Sequence, residues 1–99
     1  MRKEDQNDNS NKVSKRINEI LECGFRYAKY KLCLRKNRVK ADPLTLTYDY
    51  LFERLKEEVK ELEIALSNRK GIDSLEKIAL ECGDIINFAS MICEQTEQL

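Results

Sequence analysis

The amino-acid sequence predicts an all-α protein, an antiparallel helical bundle of three to four helices per chain that is completed by oligomerisation. Three observations predict it. Apolar residues recur at steps of three and four through three long segments, the mark of amphipathic helices. Break signals, Asp42-Pro43 and Ser67-Asn68-Arg69-Lys70-Gly71, separate those segments. The third segment is apolar on more than one side, and a chain of 99 residues has too little mass to cover it alone.

Residues 1–12 contain no apolar residue after Met1, and the composition predicts a disordered tail. The helical domain is expected over 13–99. Its first helix begins near Val13, with Val13, Ile17, Ile20, Leu21, Gly24, Ala28 and Leu32 forming one stripe. Gly24 lies on that inner face, where it costs roughly 1 kcal/mol relative to alanine but permits close helix approach. Phe25, Tyr27 and Tyr30 border the stripe, and Arg26, Lys29, Lys31 and Arg35 cover much of the rest. The helix should stop at Asp42-Pro43, because the residue before proline disfavours the α region.

Thr45 or Thr47 can cap a second helix running from about Tyr48 to Ser67. Asp73, with Glu76 three residues on, has the arrangement of a capping box for a third helix from about Ser74 to Glu94. Leu75, Ile78, Cys82, Ile85, Ala89, Ile92 and Cys93 form its main stripe, while Leu80 and Met91 face nearly the opposite way. Such a helix should pack against two or more neighbours.

The charges are balanced in total and uneven in place. Residues 1–40 hold 12 Lys/Arg against 5 Asp/Glu, and residues 41–99 hold 6 against 13. A basic front and an acidic back suit a metal-and-phosphate site better than a nucleic-acid duplex, so nucleic acid is not the expected partner. No apolar run is long enough to span a membrane, and the N-terminus lacks a secretory core, so a cytoplasmic location is expected. Cys23, Cys33, Cys82 and Cys93 include no C-x-x-C pair, and the chain has no histidine. Buried free thiols are expected, rather than a zinc site.

The chemistry should lie with the acids of the second and third helices. On an α-helix residues three apart are neighbours, so Glu58 with Glu61, and Glu81 with Asp84, each present two carboxylates side by side. In projection Glu58 falls at the edge of the stripe Leu51, Leu55, Val59, Leu62 and Leu66, with Glu61 one step further out. Glu81 falls between Ile85 and Phe88. A carboxylate on a buried face needs a paired charge or a metal, and on the third helix only Lys77, near its start, shares that face. A hard divalent cation, which prefers oxygen ligands, is the expected partner.

These residues resemble a known pattern. Leu55-Lys56-Glu57-Glu58-Val59-Lys60-Glu61-Leu62 and Glu81-Cys82-Gly83-Asp84-Ile85-Ile86-Asn87 look like the E-E-x-x-E and E-x-x-D motifs of the MazG-like nucleotide pyrophosphohydrolases, of the all-α NTP pyrophosphatase superfamily. The resemblance covers about residues 48–93. It implies that Glu58, Glu61, Glu81 and Asp84 hold Mg²⁺, with Mn²⁺ a frequent substitute. It implies hydrolysis of a nucleoside triphosphate to the monophosphate and pyrophosphate by a homodimer or homotetramer. Glu57 is then the candidate to orient or deprotonate the attacking water. Asn87 is a candidate for substrate binding, and equally a polar group satisfied between packed helices. This chain lacks the tryptophan and histidine that some relatives use around the base, and none of its aromatics is assigned that role. A different reading keeps the fold and makes the chain an interaction or regulatory protein with little catalytic activity.

Overall fold

The computed structural model describes residues 3–34 and 46–97, with side chains from Ser10 onward. Among the described residues it contains three helices and no strand: α1 (Lys3–Cys33), α2 (Tyr48–Ser67) and α3 (Gly71–Thr96). α3 is central. α1 and α2 each pack on it and not on one another, so nearly all its positions from Ile78 to Phe88 are at least half-buried. This is the two-sided packing its apolar pattern predicts.

α2 has its expected bounds. Thr47 caps it, the Thr47 hydroxyl oxygen accepting from the Tyr50 N–H at 3.1 Å, and Asn68 closes it by donating its N–H to the carbonyls of Ile64 and Ala65. A short connection, Asn68 to Lys70, leads into α3. Gln95 near the far end of α3 donates to the Leu46 carbonyl at 2.5 Å, so α2 and α3 form an antiparallel hairpin tied at its open end.

Several expectations change. α3 begins at Gly71, with Lys70 as an N-cap that makes no side-chain bond, so Asp73 lies inside the first turn and is not the cap. Gly71 takes φ +82° and admits the start three residues early. α1 begins at Lys3, through the stretch expected as a tail; no glycine or proline interrupts residues 3–12. It ends at Cys33, and the Asp42-Pro43 break and Thr45 lie outside the described residues. Cys23, Cys33 and Cys93 are exposed and Cys82 is half-buried, all four as free thiols. Cys23 and Cys33 stand outside the apolar stripe of α1, and Cys93 is exposed although Ile92 and Gln95 beside it are half-buried.

α1 crosses α3 where two glycines remove side chains. A Cβ on Gly83 would sit 2.8 Å from the backbone carbonyl of Tyr27, and one on Gly24 would sit 2.9 Å from Ile86 Cδ1. Asn87 fastens the crossing by donating to the Ala28 carbonyl at 2.8 Å. Toward the N-terminus, the apolar stripe of α1 has no partner among the described residues: Val13, Ile17, Ile20 and Leu21 are all roughly half-exposed. Tyr27 is half-buried in the crossing while Phe25 and Tyr30 are exposed.

The molecule is therefore open and flat. Its extents are 52 × 44 × 22 Å and its radius of gyration 17.2 Å, against about 13 Å for a compact chain of this length. Its accessible surface is 8114 Å², whereas a compact monomer of this mass exposes about 5,800 Å². No helix among the described residues is long and apolar enough to cross a membrane.

Candidate metal centre

The buried face of α2 is centred one position away from the leucine stripe. Leu51, Glu58 and Ala65, seven residues apart, are the buried positions at 0%, 5% and 5% exposure, while Val59 on the predicted stripe is 48% exposed. Glu58 thus stands in the middle of the α2–α3 contact and not at its edge. The packing of α3 on only one side of α2 selects this line.

Opposite it, α3 presents Glu81. Carboxylate oxygens of Glu58, Glu61 and Glu81 lie within 4.8 Å of one another, with Glu58 buried, Glu61 exposed and Glu81 half-buried. The cluster is closed on the helix side and open at Glu61. Glu58 Oε2 and Glu81 Oε2 are both buried without a hydrogen-bond donor. Their neighbours are other carboxylates, which have no proton to donate when ionised. A shared proton, a cation or a water entering from the open side would satisfy such oxygens.

The electrostatics follow. Burial raises the Glu58 carboxyl from 4.5 to about 7, helped by its contact with Glu61 and by the charge of Asp84, and opposed by Arg54. Glu81 is raised as well, by burial first and then by Glu61 and Asp84, against the pull of Lys31. Near neutral pH the cluster holds a proton that a metal ion can replace.

Two basic residues reach the acids from positions the sequence did not single out as partners. Arg54, one turn before Glu58, donates to Glu58 Oε1 at 3.3 Å, pairs closely with Glu57 and lies 5.2 Å over the Phe88 ring. Its i,i+4 spacing from Glu58 was a signal available in the sequence. Lys31 of α1 pairs with Asp84 at 3.1 Å. This contact spans two helices, and no local pattern announces it. The cluster is therefore not left to a metal alone, as the faces of α2 and α3 had suggested.

Of the six candidate residues, Glu58, Glu61 and Glu81 converge. Asp84 stands beside them in the Lys31 pair and outside the three-acid group. Glu57 points outward, 59% exposed, toward Arg54. Asn87 takes the interhelical role through Ala28. Elsewhere, an open groove of about 580 Å³ on the outer side of α2 is lined by Val59, Leu62, Glu63, Leu66, Ser67 and Arg69 and contains none of the clustered acids.

No protein-family model, curated protein or solved structure matches this chain. The functional reading rests on the acids and their surroundings.

Proposed function

We propose that this chain is a Mg²⁺-dependent nucleoside triphosphate pyrophosphohydrolase of the MazG-like kind, converting an NTP or dNTP to the monophosphate and pyrophosphate. The observation that supports it best is the Glu58, Glu61 and Glu81 group with its two orphaned buried oxygens. An all-oxygen donor set fits Mg²⁺ or Mn²⁺. Glu58, Glu61, Glu81 and Asp84 would hold the ion, which when bound neutralises phosphate charge and lowers the pKa of an attacking water.

The chain's own residues supply the rest. Arg54 fixes Glu58 Oε1, which leaves Oε2 for the ion. The α2–α3 contact closes the helix side of the cluster, so phosphate must approach from the open side at Glu61. Glu57 would orient or deprotonate the water and must leave Arg54 to do so. Asn87 is held by its Nδ2 on Ala28, so a substrate hydroxyl would meet its Oδ1.

A homodimer or homotetramer belongs to the same reading. The accessible surface exceeds that of a compact monomer by about 2,300 Å², enough for a large interface on each copy. The half-exposed apolar stripe on α1 and the Val59, Leu62 and Leu66 face of α2 are the surfaces to be covered. The same exposed faces favour the second reading, an interaction or regulatory protein with this fold and little turnover.

One experiment separates the two. Pyrophosphate release is measured from a panel of canonical and modified nucleoside triphosphates, with and without Mg²⁺, beside Glu81→Gln. Metal-dependent release that is lost in the variant is expected. A folded protein that releases nothing from any substrate favours the regulatory reading.

A further inference from the structure

The two oxygens of Glu58 are not equivalent. Arg54 Nη2 donates to Oε1 at 3.3 Å, while Oε2 is buried without a donor. Arg54 has little freedom to release Oε1. Its Nη1 pairs closely with Glu57, and its Cζ lies 5.2 Å over the Phe88 ring. Phe88 stands about two turns beyond Glu81 on α3, so this stacking crosses the same α2–α3 contact that encloses the acids. The Arg54 and Glu58 side chains are 29% and 6% exposed. A planar guanidinium held on three sides is a fixed point of the site.

An arginine on one oxygen restricts how the carboxylate can serve a metal. A Ca²⁺ ion chelated by both oxygens of Glu58 would lie roughly 2.3–2.6 Å from Oε1, with its double charge set against the guanidinium on the same oxygen. Glu58 is thereby limited to one bond, through Oε2. Hard cations differ in how much this costs them. Ca²⁺ collects about six to eight oxygens and uses bidentate carboxylates to do so, whereas Mg²⁺ takes a tight octahedral set and completes it with water. Mn²⁺ accepts the same octahedral oxygen set.

Resting on the metal-dependent reading above, we infer that Arg54, braced by Phe88, is a positioning residue that makes the centre select Mg²⁺ or Mn²⁺ over Ca²⁺ by confining Glu58 to single-oxygen ligation. The charge of Arg54 alone gives no such selectivity, because it repels all divalent ions alike. A merely structural role gives none either, since a loosened α2–α3 contact would weaken every metal. The ratio of two metal affinities therefore isolates the geometric effect.

The test uses the full chain without nucleotide, with Mn²⁺ and Ca²⁺ as probes. Mn²⁺ affinity is read by electron paramagnetic resonance, and Ca²⁺ affinity by displacement of bound Mn²⁺. Wild type should prefer Mn²⁺ by at least about tenfold, the scale of one charge-assisted contact. In Arg54→Met, which keeps an apolar stem beside Phe88, the preference should fall to about threefold or less, with Ca²⁺ gaining more than Mn²⁺. Lys56→Met removes the same charge from an exposed position of α2 and should leave the ratio unchanged. Phe88→Leu, which removes the brace and keeps the charge, is judged by the same criteria if circular dichroism shows Arg54→Met unfolded. A preference that survives in Arg54→Met overturns the inference, as does an equal fall in Lys56→Met or a wild-type ratio near one; bound Mn²⁺ leaves the metal centre standing in each case. Wild-type protein that binds no Mn²⁺ overturns the metal centre itself, and this inference with it.

Discussion

The N-terminal half of α1 and the middle of α2 invert one another. Along α1 a regular apolar stripe, Val13, Ile17, Ile20 and Leu21, lies open, while on α2 a glutamate, Glu58, is buried. Periodicity tells where a helix has an apolar face; it does not tell which helix will cover it. α3 covers the line Leu51, Glu58 and Ala65 and leaves the Val13–Leu21 stretch uncovered. A charge is enclosed because it lies on the line of contact, and a valine, a leucine and two isoleucines are exposed because no other described helix reaches them.

The enclosed acid can be tested first by removing its charge. Glu58→Gln and Asp84→Asn should each leave a folded helical protein and lower Mg²⁺-dependent pyrophosphate release by about a hundredfold or more, since changes outside the ligand shell already cost up to that much. Normal turnover in either variant would sink the metal centre.

A smaller effect should appear in stability against pH. In the folded chain Glu58 holds its proton up to about 7, and it releases it near 4.5 when unfolded. The folded state therefore binds more protons between those values, and metal-free stability should fall as pH rises from about 4.5 through about 7. The loss is on the order of 3 kcal/mol if the carboxylate is fully ionised above that window. Thermal melts across this range should show it, and saturating Mg²⁺ should flatten the curve because the ion replaces the proton. A metal-free melting curve that rises through the window would contradict the enclosed cluster.

The crossing that brings Lys31 to Asp84 gives the next effect. Gly83→Ala places a methyl 2.8 Å from the Tyr27 backbone, which cannot rotate away, and should cost about 1–3 kcal/mol in urea denaturation. Gly24→Ala meets only the end of the Ile86 side chain. Rotation of that chain and a gain of roughly 1 kcal/mol in helix propensity should leave the variant near neutral. Equal losses at the two glycines would mean that α1 sits differently on α3.

The local features were legible in the sequence. The bounds of α2 and its Thr47 cap follow from apolar spacing and a hydroxyl at the break. The meeting of Glu58, Glu61 and Glu81 follows from i,i+3 spacing on two helices short enough in connection to lie side by side. What depends on a distant partner was not legible. The Lys31–Asp84 pair exists because Gly83 admits the α1 backbone, and no spacing within α1 or α3 encodes it. The placement of Glu58 at the centre rather than the edge was hidden for the same reason, since the choice of covered line belongs to α3. Cys23 stands off the apolar stripe of α1, and Cys93 is exposed although Ile92 and Gln95 on the same helix are half-buried. Asp73 missed its capping role because Gly71 could begin the helix sooner.

The turn between α2 and α3 makes the hairpin a ruler with nearly equal arms. Glu58 lies nine residues before the end of α2 at Ser67, and Glu81 ten residues after the start of α3 at Gly71. At 1.5 Å per residue each acid stands about 14 Å from the turn, so the two meet at the same height. Extra residues inserted among the exposed positions 68–70 would lengthen the loop and leave both arms unchanged. Deleting one residue from either arm would rotate its acid by about 100° and lower it by about 1.5 Å, out of reach of its counterpart. The distance between the two acidic motifs along the chain is thus free to grow at one place only, while their separate distances to the turn are not.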